Sequence, residues 1–444
     1  GAFSSMSLTR LAHTLAAIRG VLAYALAAVL LASCGSGGTL FGTLPASVRV
    51  FNALLDGGPI DVIVFTEPIV SNLPFEGVTT YQSVDAGNRE VKVLLSGGTA
   101  TIYDQTTPIL DGAKYTYIVS GTTSAPSVLI LIDQLVQNAP PAAGTFFFRA
   151  VNAAITSAAF DVYVGTPGEL LDSMSPTFSN ITYGTTTTYN SINAGTLQVR
   201  FTLPGSKEVI YDAGPITFNA GSIYQLAGYS RGSGALVNGA LFVVDSTGTS
   251  SIVDSLLAQL KLVHGAPGTG PVNAFTDGLV TFANVPYQSA SIYTNVAAGP
   301  HAVTIETAGV PGAVIATAQP SFVAATDTSV VLMGLPGAQT AFALSDTNLP
   351  PPVGRARIRF VNAGSDIGPV DILVNFAKAF TGVPNASATT YAEELEDTYT
   401  ITFVIAGTTT DLLSMPVAVT AGRTYSMYLV GTAGQYTAIL TRDD

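Results

Sequence analysis

The chain has 444 residues, 48% of them apolar and only 10% charged, with no Trp and a formal net charge of −12. That balance excludes a disordered chain, which needs low hydrophobicity and high charge, and it argues against nucleic acid as a partner, because phosphates call for clustered Lys and Arg. One cysteine and three histidines rule out an intrachain disulfide and leave metal sites poorly supplied.

From the N-terminus, Arg10 and Arg19 precede an apolar run over 21–32, shorter than the ~20 residues a membrane-spanning helix needs. A basic stretch and then a short apolar one reads as a secretory signal, here 1–33. It ends in Leu31-Ala32-Ser33-Cys34, followed by Gly35-Ser36-Gly37-Gly38. This resembles a bacterial lipobox, and the resemblance implies a diacylglyceryl group on the Cys34 sulfur. Residues 34–46 are then a lipidated cysteine and flexible tether, and the membrane is a partner through the lipid. The charge becomes −14 once Arg10 and Arg19 leave with the signal. Gly35 replaces the aspartate that favours inner-membrane retention in enteric bacteria, which points to the outer membrane. The bland alternative is a free cysteine after an ordinary signal peptide.

The remainder repeats itself. Val48-Arg49-Val50-Phe51-Asn52-Ala53, Phe148-Arg149-Ala150-Val151-Asn152-Ala153, Leu260-Lys261-Leu262-Val263-His264-Gly265 and Ile358-Arg359-Phe360-Val361-Asn362-Ala363 are versions of one strand. Nine residues after Asn52, Asn152, His264 and Asn362 come Asp61, Asp161, Asn273 and Asp371. Pro74, Pro286 and Pro384 follow at a spacing of thirteen, and Thr182 arrives eight residues later in the second copy. Seven further on stand Tyr81, Tyr189, Tyr293 and Tyr391, and six beyond them Gly87, Gly195, Gly299 and Asp397. Four copies follow: 47–137, 146–246, 257–346 and 355–444.

Each copy reads as about seven strands, in the fourth at 357–363, 370–376, 388–394, 399–407, 411–416, 424–431 and 436–443. Period-two alternation marks the fourth strand, as in Val91, Val93 and Leu95, Leu197, Val199 and Phe201, and Tyr399, Ile401 and Phe403. One face is buried and one wet, the pattern of an antiparallel sheet. The predicted class is all-β, with four tandem antiparallel, immunoglobulin-like β-sandwiches. Linkers are expected at 137–141, 246–251 and 349–352, the first and last stiffened by proline and the middle one compliant. The expected shape is a jointed rod.

The motifs Phe51-Asn52-Ala53 with Pro59-Ile60-Asp61-Val62, Val151-Asn152-Ala153 with Asp161-Val162, Asn284-Val285-Pro286-Tyr287, and Val361-Asn362-Ala363 with Pro369-Val370-Asp371-Ile372 carry a resemblance. They are similar to a bacterial family of tandem β-sandwich repeats known only as a domain of unknown function and common in secreted proteins and lipoproteins. Copy three departs from it at His264-Gly265 and Asn273, copy four at Asn385. The resemblance implies fold and location but no activity, catalytic residue or cofactor.

Several residue groups invite chemistry. Gly228-Tyr229-Ser230-Arg231-Gly232 matches the nucleophile elbow of α/β-hydrolases, and Ser230, Asp254 and His264 stand in that class's order. No βαβ pattern accompanies them, and a plain turn is the expected reading. The recurring Asn/Asp pair has oxygens suited to a hard cation, yet a turn-fixing hydrogen bond needs only a short polar side chain. The tyrosines read as core anchors, with sugar stacking as the alternative. His301 sits at a tolerant strand start, and Glu393, Glu394, Glu396 and Asp397 read as a solvated turn. The insertion near Gly165-Thr166-Pro167-Gly168-Glu169-Leu170-Leu171 maps to a surface loop. No metal or cofactor is implied.

The function these readings favour is non-enzymatic. It is a lipid-anchored envelope protein, a structural spacer, adhesin or matrix component, partnered by the membrane and by envelope proteins or polysaccharide. The alternative is a carbohydrate- or protein-binding module using sandwich-end loops; the distant one is a hydrolase using Ser230.

Overall fold

The first copy's opening strand, β1 (Ala46–Asn52), is almost wholly buried. It is followed by β2 (Ile60–Val64), β3 (Glu67–Leu73), β4 (Gln82–Val84), β5 (Gly87–Leu95), β6 (Thr101–Ile109), β7 (Lys114–Thr122) and β8 (Ala125–Gln134). Two four-stranded sheets result, ordered β4-β1-β7-β8 and β3-β2-β5-β6. The computed structural model describes residues 44–134, 139–232 and 236–443. The signal segment, Cys34, the tether as far as Thr43, and the linker residues Gln137 and Asn138 lie outside the described residues.

Between the two sheets Val48, Val50, Val62, Val91, Val93 and Tyr117 close a core, and equivalent clusters recur in the other three copies. The alternation read from the sequence is present: Val91 and Val93, Val199 and Phe201, and Ile401 and Phe403 all point inward. The chain is all-β and sandwich-like, with sheets that are mostly antiparallel.

Three features differ from the sequence reading. First, one pairing in every copy is parallel: β1 runs beside β7 from Ser47↔Lys114 to Asn52↔Val119. Thr145–Ala153 pairs likewise with Ile223–Ser230, Leu257–His264 with Asp327–Met333, and Arg355–Asn362 with Thr424–Val430. Second, each copy has an edge strand absent from the expected seven, such as Ala377–Val383 in the fourth. Its residues are largely exposed, so it carries no alternation to read. The acidic run is likewise mostly strand: Glu393 and Glu394 lie in Ala392–Leu395, which pairs with Arg355–Asn362, and Asp397 opens Asp397–Ile405, with only Glu396 at the bend between them.

Third, the copies are joined rather than strung out. Segment 246–251 is not a compliant linker, because Ser250–Val253 adds a strand beside Val237–Val243, pairing Ala240↔Ile252 and Leu241↔Ser251. An edge strand offers unpaired backbone groups, and Ile252 and Val253 are β-formers that take them up. Phe51, Ile118 and Leu129 of the first copy share a cluster with Val151, Tyr229 and Phe242 of the second. The ring centroids of Phe51 and Tyr229 are 5.1 Å apart, edge to face. Val263, Val331 and Met333 of the third copy meet Val361, Tyr428 and Ile439 of the fourth in the same way. The outer face of one sheet per copy is therefore a second core, shared within a pair.

Candidate functional site

The recurring polar residues sit at three kinds of place. After the first strand the chain turns, and Asn52 fixes that turn from inside. Its Nδ2 donates to the carbonyls of Gly58 and Leu73, both at 3.0 Å, while its Oδ1 accepts from the Leu54 N–H. Asn152 bonds Ser157, Ile181 and Ala154 in the same manner, and Asn362 donates to Gly368 and Val383. His264 reproduces the pattern with a ring, Nε2 donating to the Gly270 carbonyl at 3.0 Å and Nδ1 accepting from Ala266 N–H. Burial lowers the pKa of His264 and favours the neutral ring these bonds require.

The second place is a bulge. Asp61, Asp161, Asn273 and Asp371 accept from the backbone N–H of Asn72, Asn180, Asn284 and Gly382. Those four residues hold φ between 51° and 62°, where the strand ladder breaks register. A short acceptor there satisfies a donor the ladder cannot. Asp371 also takes Lys378 Nζ at 2.7 Å; that bond and the one from Gly382 hold its carboxyl below the usual range.

The third place is a buried ionic node between paired copies. Arg49, Arg149, Lys261 and Arg359 occupy one position of the opening strand and are all buried. Each cation lies over its own copy's tyrosine, 4.8 Å from the ring centroid of Tyr81, 4.6 Å from Tyr189, 4.5 Å from Tyr293 and 4.9 Å from Tyr391. The tyrosine hydroxyls reach the last strands: Tyr81 donates to Asp133 at 2.7 Å, Tyr293 to Asp346 at 2.5 Å and Tyr391 to Asp443 at 2.7 Å. Tyr189 donates to the Asp133 carbonyl. Burial, and then the adjoining carboxylate, pushes the hydroxyls of Tyr81, Tyr293 and Tyr391 far above their ordinary range.

Within the second pair the exchange is reciprocal. Lys261 of the third copy bonds Asp443 of the fourth at 2.6 Å, and Arg359 of the fourth bonds Asp346 of the third. Burial opposes the Asp443 charge, but Lys261 and Arg359 outweigh it and hold its carboxyl below the usual range. The first pair has lost one carboxylate, because Val244 stands where the other copies have aspartate. Arg49 and Arg149 therefore share Asp133, at 3.5 and 3.3 Å, with Gln225 bridging Arg149 to it. Breaking one partner out of such a buried pair costs about 3–5 kcal/mol. The tyrosines thus serve the joint between copies rather than the inner core. The four cations had a sequence signal, a basic residue three positions before each Asn or His, which alternation alone does not single out.

The residues of the hydrolase motif are not brought together. Ser230 ends a strand and bonds Thr156, at 2.6 Å between hydroxyls; His264 bonds Gly270, and Asp254 accepts from Asn238. His301 bonds Asp277 at 2.6 Å and lies against Phe322. In the insertion, Glu169 accepts from Thr166, and Gly168 N–H donates to Gln198. Among the described residues no group of three or more His, Cys, Asp or Glu is placed to hold a metal, and no helix is long and apolar enough to cross a membrane.

No curated protein matches the chain. Among solved structures, the Bacillus anthracis TIE protein aligns with 90% of this chain and 75% of its own, at 9% identity and a TM-score of 0.16. BcpA, the major pilin subunit of Bacillus cereus, aligns over 87% of this chain and 99% of its own, at 8% identity and a TM-score of 0.14. At those scores neither likeness carries an argument about fold or function. A family model, by contrast, matches residues 46–163, 258–373 and 356–444, and each of these three spans opens on the strand that bears the buried cation. The chain belongs to the family described as a domain of unknown function, DUF4397.

Proposed function

We propose that the chain is a non-enzymatic, lipid-anchored protein of the cell envelope, held at the outer membrane through Cys34 and acting as a structural spacer, adhesin or matrix component. One observation supports this most: the recurring polar residues are engaged in turns, bulges and the joint between copies, which is the use a scaffold makes of them. The anchoring is tested by fractionating bacteria that express Cys34→Ala. The variant is expected in the soluble fraction after a salt wash, and one that still pellets with membranes overturns the anchor. Protease added to intact cells then separates an outward-facing adhesin, which is digested, from a periplasmic spacer, which is spared.

The binding-module reading has its own observation. In or next to the connection after the second strand, every copy carries an exposed apolar residue: Phe65 is 56% exposed, Leu170 76%, Leu279, which opens the next strand, 77% and Phe376 77%. Phe65 and Phe376 also hold φ of 59° and 68°, a conformation disfavoured for bulky side chains. Envelope polysaccharide or protein that protects none of these tips from surface labelling would sink this reading.

A further inference from the structure

The two pairs build the same groove, and the chain fills one of them with itself. In the first pair the groove lies between residues 76–81 of the first copy and Val237–Val243 of the second, and residues 245–253 occupy it. The Thr249 carbonyl accepts the Val243 N–H at 2.8 Å and Arg49 Nη1 at 3.2 Å. The Thr247 carbonyl accepts the Tyr81 N–H at 2.9 Å. Gly248 rests on the Tyr81 ring so closely that a Cβ would stand 2.9 Å from Cδ2. Ser250–Val253 then continues as an antiparallel strand on Val237–Val243.

In the second pair the equivalent walls are residues 288–293 and Thr437–Arg442, with Tyr293 in place of Tyr81 and Lys261 in place of Arg49. They flank an open cleft of about 510 Å³ with Ile292, Tyr293 and Leu440 on its walls, and no described residue is seated in it as 245–253 is in the other. The edge is set the same way. Val244 N–H turns inward to Ile223 and Val243 N–H outward to Thr249, while Asp443 N–H turns inward to Thr424. Alternation along an antiparallel strand then turns the Leu440 N–H outward, into the cleft.

We infer that this cleft docks an extended, Ser/Thr/Gly-rich polypeptide segment of another chain, added as a strand to Thr437–Arg442 with a glycine over Tyr293. The chemistry of the occupant is that of residues 245–253, which the same groove holds in the first pair. Main-chain hydrogen bonds to a sheet edge supply affinity, and the pocket wall selects the small residue. The floor asks for no charge, because Asp443 already neutralises Lys261 where the second copy has Val244. The inference stands apart from lipidation and from the envelope reading.

The probe is a synthetic peptide with the sequence of residues 245–253, titrated into the full chain and followed by fluorescence anisotropy and amide hydrogen exchange. Saturable binding that slows exchange in 437–442 is expected. A peptide carrying Gly248→Val is expected to bind about tenfold more weakly, the equivalent of ~1.4 kcal/mol. The chain variant Leu440→Pro, which removes an outward N–H and no ladder bond, weakens binding similarly. Should that variant melt early, Ile292→Glu provides a second reading, since Ile292 is 83% exposed at the rim and its loss leaves the core alone. Absence of saturable binding, or binding indifferent to both the peptide change and the chain variants, overturns the inference. Dimerisation of the chain through 437–442 that the peptide does not compete for overturns it as well.

Discussion

His264 does with a ring what Asn52, Asn152 and Asn362 do with an amide, and only the ring can be titrated. Burial depresses its folded-state pKa below the ordinary value of about 6.5. As pH falls through about 6.5 the unfolded chain takes up a proton that the folded chain refuses. The neutral ring's contribution to stability is therefore present above that pH and is lost between about 6.5 and the lower folded-state value. The melting temperature should fall across that window, and His264→Asn, which copies the other three turns, should flatten the fall. Equal pH slopes in the two proteins would refute the assignment. The spacing of nine between this residue and Asn273, and between its Asn/Asp counterparts, is legible in the sequence because both ends serve backbone groups of neighbouring connections. Their partners lie close along the chain, so position in the copy dictates role.

Among elements, the strand that runs parallel to the opening strand of each copy is the one whose environment the sequence conceals. Ile223–Ser230, Asp327–Met333 and Thr424–Val430 are buried along their whole length. Parallel strands covered on both faces read as near-continuous apolar runs, and runs such as Tyr425-Ser426-Met427-Tyr428-Leu429-Val430 are visible in the chain. They identify a strand but neither its neighbour nor what covers its second face. Met427 points into the fourth copy's own core, while Tyr428 points into the cluster shared with the third. Both Met427→Ala and Tyr428→Ala should therefore cost several kcal/mol, about 2–5 and 3–5 respectively. A sheet wet on that face would lose only ~0.5 kcal/mol at Tyr428. Denaturant unfolding of the two variants distinguishes these cases, and a near-neutral Tyr428→Ala would remove the shared core from the description.

For the whole molecule the unit of stability is the pair. Residues 353–444 alone would bare Val361, Tyr428, Val430 and Ile439, and would leave Arg359 without Asp346 and Asp443 without Lys261. Expressed by themselves they should aggregate, self-associate or melt without cooperativity, whereas residues 257–444 should be monomeric and melt cooperatively. A monomeric, cooperatively melting 353–444 would show that the ionic joint is dispensable. The sequence by itself determined the repeats, the strand alternation, and the turn and bulge residues, because each depends on groups within a few tens of positions. Tertiary structure alone decided the pairing. Lys261 and Asp443 meet across 182 positions, and Arg49 and Thr249 across 200, and no local period encodes such distances. A basic residue inside an apolar strand is costly unless a partner from elsewhere in the chain neutralises it. Which copy supplies that partner follows from which sheet faces pack together.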